Sequence, residues 1–150
     1  MPLQIVIDTN VFVSALRSKR GASFRLLSLV GKSTQFEINL SVPLVLEYED
    51  VANRQLHITG LSAQDVSDII DYLCSVGNRC QIYFLWRPFL KDPKDDMVLE
   101  LAVEAQCQYI VSFNQRDFTG VEQFSLQVLT PEEFLREIGE HDEHNQPEAS

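Results

Sequence analysis

Leu3–Gln4–Ile5–Val6–Ile7–Asp8–Thr9–Asn10–Val11–Phe12–Val13 is the stretch from which the fold is read. Its first five residues, four of them apolar, form a short continuous run that predicts a strand buried on both faces. Asp8 follows the last apolar position directly. In a parallel α/β sheet the carboxyl end of a strand is where ligands bind, so this carboxylate is expected at the mouth of the sheet rather than in its core. Thr9 or Asn10 can cap a helix beginning at Val11. A plainer reading of Asp8, as a helix cap and nothing more, stands beside this one.

The rest of the chain repeats the pattern of strand then helix. A helix is expected over Ala22–Val30, stopped at Gly31. Phe36–Leu40 alternates apolar and polar residues as a strand. Ser41 and Pro43 are a hydroxyl cap and a first-turn proline for the helix that carries Glu47, Glu49 and Asp50. Ala63–Val76 has Val66, Ile69, Ile70, Leu73 and Val76 at helical spacing. Cys80–Leu85 is predicted as a third strand. Asp92, Asp95 and Asp96 lead into a helix expected from Met97 to Ala105. Tyr109–Ser112 is a short buried strand, 113–120 a loop, and Phe124–Leu129 an edge strand. Thr130–Pro131–Glu132–Glu133 caps a last helix through Ile138. This alternation predicts an α/β fold, a three-layer α/β/α sandwich around a mainly parallel sheet of about five strands. Residues 1–138 form the expected domain, and 139–150 read as an acidic, disordered tail.

Composition narrows the function. The 150 residues suit one domain, and a hydrophobic content of 45% is that of an ordinary globular chain. No apolar run approaches the ~20 residues that span a bilayer, and no signal peptide is evident. Three cysteines, Cys74, Cys80 and Cys107, make neither a disulfide framework nor a zinc pattern; they suit a reducing cytoplasm. Twelve Lys and Arg against 22 acids give a net charge of −10, which argues against nucleic-acid binding by bulk charge. Four of those acids, Glu140, Asp142, Glu143 and Glu148, lie in the tail. Arg17, Lys19, Arg20 and Arg25 form the main basic patch, either a phosphate contact or a solvated face.

The acids themselves cluster. Asp8, then Glu47 with Glu49 and Asp50, then Asp92 with Asp95 and Asp96, then Asp117 each follow a predicted strand or open the next helix. A doubly wound sheet would bring those places to one edge, where several carboxylates repel unless cations hold them. Hard oxygen donors select Mg²⁺ or Mn²⁺ over zinc. Two such ions about 3.5–4 Å apart make the clamp that hydrolyses phosphodiesters. Each acid also has a plainer reading, as a solvated helix residue, a turn or a cap.

In that order the acid motifs, ending in Ser112–Phe113–Asn114–Gln115–Arg116–Asp117–Phe118, resemble a PIN domain (PilT N-terminus), and within it the small toxins of toxin–antitoxin pairs similar to VapC. The resemblance covers about Leu3 to Leu135; no one motif is specific, but four in this order are. It implies a Mg²⁺- or Mn²⁺-dependent ribonuclease acting on RNA, a small antitoxin partner and a homodimer. It aligns Asp8 with the first family acid, Glu47 with the second and Asp96 with the third, since Asp96 precedes Leu99 by three. Asp95 is one position off, and Asp92 stands in the preceding loop. Asn114 occupies the usual place of the fourth acid and Asp117 comes three residues later, so that either Asp117 serves as the acid or Asn114 orients a water. Thr9, Asn10, Ser112 and Asn114 are expected to hydrogen-bond a ligand carboxylate or a metal-bound water. A non-catalytic interaction module of the same fold is the alternative. A receiver-like phosphoacceptor would want a late strand-end lysine, and a haloacid-dehalogenase-type phosphatase an aspartate where Asn10 stands.

Overall fold

The structure is a computed structural model and describes residues 1–82 and 89–140. Five parallel strands make its sheet: β1 (Leu3–Ile7), β2 (Phe36–Leu40), β3 (Asn78–Arg79), β4 (Tyr109–Val111) and β5 (Gln127–Leu129). Their order is β3-β2-β1-β4-β5. Seven α-helices among the described residues surround them: α1 (Thr9–Arg17), α2 (Ala22–Leu29), α3 (Val42–Arg54), α4 (Leu56–Thr59), α5 (Ala63–Val76), α6 (Pro93–Glu104) and α7 (Pro131–Glu137). This is the expected three-layer α/β/α sandwich.

The central strand is the one first read from sequence. Ile5, Val6 and Ile7 are buried, because β2 and β4 flank β1 and helices cover both faces. Chain direction across the sheet reverses here: β1 leads outward to β2 and β3, and the chain then returns to β4 and β5 on the other side. The crevice at such a reversal, beyond the carboxyl ends of the strands, is the natural binding place of an open α/β sheet. The register Ile7↔Val111 sets Asp8 beside Ser112 at that point, and Asp8 N–H donates to Val111 O at 2.9 Å.

Helix α3 is tied to the same point. Tyr48, fully buried, stacks on Phe12 with ring centroids 4.5 Å apart and donates its hydroxyl to Ile7 O. The neighbouring Glu47 is carried with it towards the end of β1. Removing a buried donor leaves its carbonyl unpaired, at about 1–3 kcal/mol. Tyr48→Phe is therefore expected to lower the thermal midpoint by several degrees, roughly 2–4 °C per kcal/mol, with unchanged far-ultraviolet circular dichroism. An unaltered melt would remove this anchor.

Several boundaries differ from those read in sequence. Asp8 is itself the cap of α1, its Oδ1 accepting from Thr9 N–H, so neither Thr9 nor Asn10 has that role. Asp92 caps α6 and Pro93 opens it, which brings Asp95 and Asp96 inside the first turn. Among the described residues the third strand is Asn78–Arg79, and Cys80–Ile82 of the expected Cys80–Leu85 lie outside it. Asn78 fixes that pairing by donating to Gln4 Oε1 and Glu37 Oε1, and Cys80 N–H donates to Leu40 O. Residues 83–85 of that expected strand, and residues 141–150 of the expected tail, lie outside the described residues. Phe124 ends a 3₁₀ turn over Val121–Phe124 and Ser125 is left-handed at φ 61°, so β5 is only three residues long. A second 3₁₀ turn, Gln115–Phe118, occupies the loop after β4, and α4 was not expected.

Candidate active site

The site begins with Asp8, which is buried at the β1–α1 junction. One carboxylate oxygen, Oδ1, takes the Thr9 N–H at 2.9 Å; the other, Oδ2, takes the Ser112 hydroxyl at 2.7 Å. Ser112, also buried, is held in turn. Its Oγ accepts from Asn10 Nδ2 at 3.3 Å and from Asn114 N–H at 3.0 Å, and Asn10 Oδ1 accepts from Phe113 N–H at 3.4 Å. Residues from two strand ends thus orient one carboxylate. A carboxylate oxygen has two lone pairs, so each oxygen of Asp8 keeps acceptor capacity for a further ligand.

The other acids reach Asp8 through space. Burial raises its carboxyl above the usual aspartate range; Ser112 and Thr9 pull it back, and the charges of Glu47 and Asp117 raise it again. Asp95 is displaced further, to about 7, first by burial and then by the charges of Asp8, Asp117, Asp92 and Glu47. Asp8, Glu47, Asp95 and Asp117 therefore share one field, with Asp92 at its edge. Among the described residues no three of these groups stand at metal-holding distance. They are coupled but not gathered.

Asp96 is engaged by the loop that precedes its helix. Its Oδ1 accepts from Phe89 N–H at 3.2 Å and Leu90 N–H at 2.9 Å. The loop before α6 folds over the first turn of the helix, its two amides need an acceptor, and Asp96 supplies it. Sequence spacing to Leu99 favoured Asp96 over Asp95; in the structure the loop takes one oxygen of Asp96, and Asp95 is the one raised by the charges of Asp8, Asp117, Asp92 and Glu47. Asn114 acts on the site through its backbone, whereas Asp117, on the 3₁₀ turn, is the acid that Asp8 and Asp95 feel. Glu49 and Asp50 are exposed, and Asp50 pairs with Arg54 at 2.7 Å.

An open cleft of about 470 Å³ leads into this cluster, lined by Phe89, Leu90, Lys91, Asp92, Asp95, Arg116, Asp117 and Thr119. The basic patch singled out in sequence lies elsewhere. Arg17 closes the nine-residue α1, roughly 12 Å along the helix from Thr9 at the mouth. Among the described residues the cations that line the cleft are Lys91 and Arg116. Their only sequence signal was adjacency to Asp92 and Asp117.

The donors suit a hard divalent cation. They are all oxygens, their mutual repulsion is relieved by positive charge, and the buried Thr9 Oγ1 beside Asp8 has no hydrogen-bond partner among the described residues.

The family model described as PIN domain matches residues 4–116. The chain belongs to the PIN domain family. PIN domains are in general nucleases. The family match takes in Asp8, Glu47, Asp95, Asp96, Ser112 and Asn114 and stops one residue before Asp117. Among solved structures the PIN chain is similar to one in the crystal structure of VapBC2 from Rickettsia felis bound to a DNA fragment from their promoter. The TM-score is 0.56 at 13% identity, over 84% of this chain and 98% of that one, a likeness of fold. No curated protein matches the sequence. No helix among the described residues is long and apolar enough to cross a membrane.

Proposed function

We propose that this PIN domain is a Mg²⁺- or Mn²⁺-dependent ribonuclease, with Asp8, Glu47, Asp95 and Asp117 as the carboxylates that hold the cation. The observation that carries the reading is the shared field of these four acids at the switch point of the sheet. Like charges that share one field destabilise the empty fold, and a bound cation reverses the sign of that interaction. Asp92 stands at the rim as an outer carboxylate.

The chemistry a divalent cation supplies here is polarisation of a phosphoryl oxygen and acidification of water. The chain's own part is orientation. Ser112 and the Thr9 amide fix the plane of the Asp8 carboxylate, and Asn10 and Asn114 fix the Ser112 hydroxyl. Asp95, held to a pKa of about 7, can exchange a proton with water near neutral pH when no cation is bound. Lys91 and Arg116 offer positive charge to a phosphodiester in the adjoining cleft.

Partners that orient a ligating carboxylate are commonly worth 10–100-fold in affinity or activity. Ser112→Ala is therefore expected to lower cleavage about 10–100-fold, with the divalent-ion dependence moved to higher concentration. Activity and ion dependence equal to those of the wild type would exclude Ser112 from the site.

For the biological setting we propose what the sequence resemblance implies: a toxin restrained by a small antitoxin, working as a homodimer in the cytoplasm. Growth arrest on expression, relieved by the product of the neighbouring reading frame, tests the toxin assignment. Cleavage of RNA that requires Mg²⁺ or Mn²⁺ and stops with a chelator tests the enzyme assignment. Binding to a protein partner without any cleavage would leave the fold as an interaction module.

A further inference from the structure

Phe89 is 39% exposed on the wall of the cleft, yet it is held from three sides. Its own amide and that of Leu90 donate to Asp96 Oδ1. Its ring meets Phe124 edge-on, centroids 5.3 Å apart and planes at 75°. Beneath it lies Gly120, at φ +93°, where a Cβ would come within 3.3 Å of Phe89 Cζ and 3.4 Å of Cε2. Only glycine combines that left-handed backbone with that close approach. A large apolar ring is thus fixed in place while much of it is left to solvent.

Its surroundings point to the ligand. Lys91 follows two residues on, and Arg116 lies across the same cleft. Neither forms an ion pair among the described residues. Asp95 and Asp117, of the carboxylate cluster, lie in the same cleft. We propose that the Phe89 ring is a stacking platform for one base of a single-stranded RNA, with Lys91 and Arg116 on the flanking phosphates and Asp96 as the positioning residue that holds the ring's loop. This rests on the ribonuclease reading of the same site. Only an unpaired base offers a free π-face; in a duplex the faces are stacked away. A ring already immobilised loses little freedom on stacking, so most of the contact is kept as affinity. Among the described residues lining this cleft, Phe89 and Leu90 are apolar and the rest are charged or polar, which suits a nucleic acid better than an apolar protein segment.

The test is binding of a fluorescein-labelled single-stranded RNA octamer, read by anisotropy with Ca²⁺ in place of Mg²⁺. Phe89→Leu keeps an apolar contact with Phe124 and removes the ring; it is expected to weaken binding about tenfold. Phe89→Tyr is expected to restore it to within about twofold. An oligomer of the same length without bases should bind wild type and Phe89→Leu equally. Lys91→Gln together with Arg116→Gln should lower the slope of log affinity against log salt by about 1.4. Equal binding of the intact octamer by wild type and Phe89→Leu, or no binding by wild type, overturns the platform. Cleavage with Phe89-independent binding sinks the platform alone. Phe89-dependent binding without cleavage in Mg²⁺ or Mn²⁺ sinks the nuclease reading alone.

Discussion

Asp8→Asn is expected to reduce Mg²⁺- or Mn²⁺-dependent RNA cleavage about 10³-fold or more, equivalent to about 4 kcal/mol of transition-state stabilisation. The variant keeps the shape of the side chain. Asparagine caps a helix as well as aspartate does, so α1 loses little. What goes is the one carboxylate that is buried at the switch point and oriented by both Ser112 and Thr9. Its charge is also what the site works against in the absence of a cation, since burial, Glu47 and Asp117 all oppose its ionisation. The thermal midpoint at pH 7.5 in a chelator is therefore expected not to fall. Cleavage rates and melting curves on the same preparations check both statements. Residual cleavage equal in wild type and variant would end the enzyme reading; a lower midpoint with lost activity would mean only a damaged fold.

Asp95 and Asp96, adjacent in sequence, are expected to behave differently. Asp95→Asn should cost activity on the same scale as Asp8→Asn, because Asp95 faces the other carboxylates. Asp96→Ala, which removes the acceptor, should instead loosen the Phe89–Leu90 loop and weaken RNA binding, leaving the affinity for Mn²⁺ near that of the wild type. Mn²⁺ affinity by calorimetry or electron paramagnetic resonance separates them. Equal losses of Mn²⁺ affinity in the two variants would refute the distinction.

The pH dependence of stability follows from the same group. The folded-state pKa of Asp95, about 7, lies above the ~3.9 of an unfolded aspartate. Between these values the folded chain binds more protons than the unfolded one, so stability falls as pH rises from about 4 to about 7. Below the window both states are protonated, and above it the loss is complete. Because Asp95 is partly open to water, screening leaves only about 1 kcal/mol, or roughly 2–4 °C in the midpoint. In a chelator at pH 8, Asp95→Asn should melt that much higher than wild type, and the gap should close at pH 4. Added Mg²⁺ should stabilise the wild type and not the variant.

The Ile5–Val6–Ile7 run followed at once by Asp8 is legible without coordinates, because a buried parallel strand must be apolar and its carboxyl end must be the opening. The same holds for the Ser41 cap with Pro43, for the helical spacing through Ile70 and Leu73, and for the Thr130 capping box. These are local rules, written in a few neighbouring residues. Asp8 and Ser112 could be named for the same reason, each directly following a strand that its own neighbours specify, and Glu47 by its place in the helix that Ser41 and Pro43 open.

The choice between Asp95 and Asp96 is different in kind. Both occupy the first turn of α6, and no local rule says which one will be taken by a loop folding back from residues 89 and 90. The placing of Phe89 over Gly120, and of Lys91 and Arg116 on one cleft, joins segments some 25–30 residues apart. By itself the sequence determined the α/β order and the acids that close its strands. Tertiary structure decided which acids face each other and which cations and ring stand beside them, because those relations depend on distances that chain neighbours do not carry.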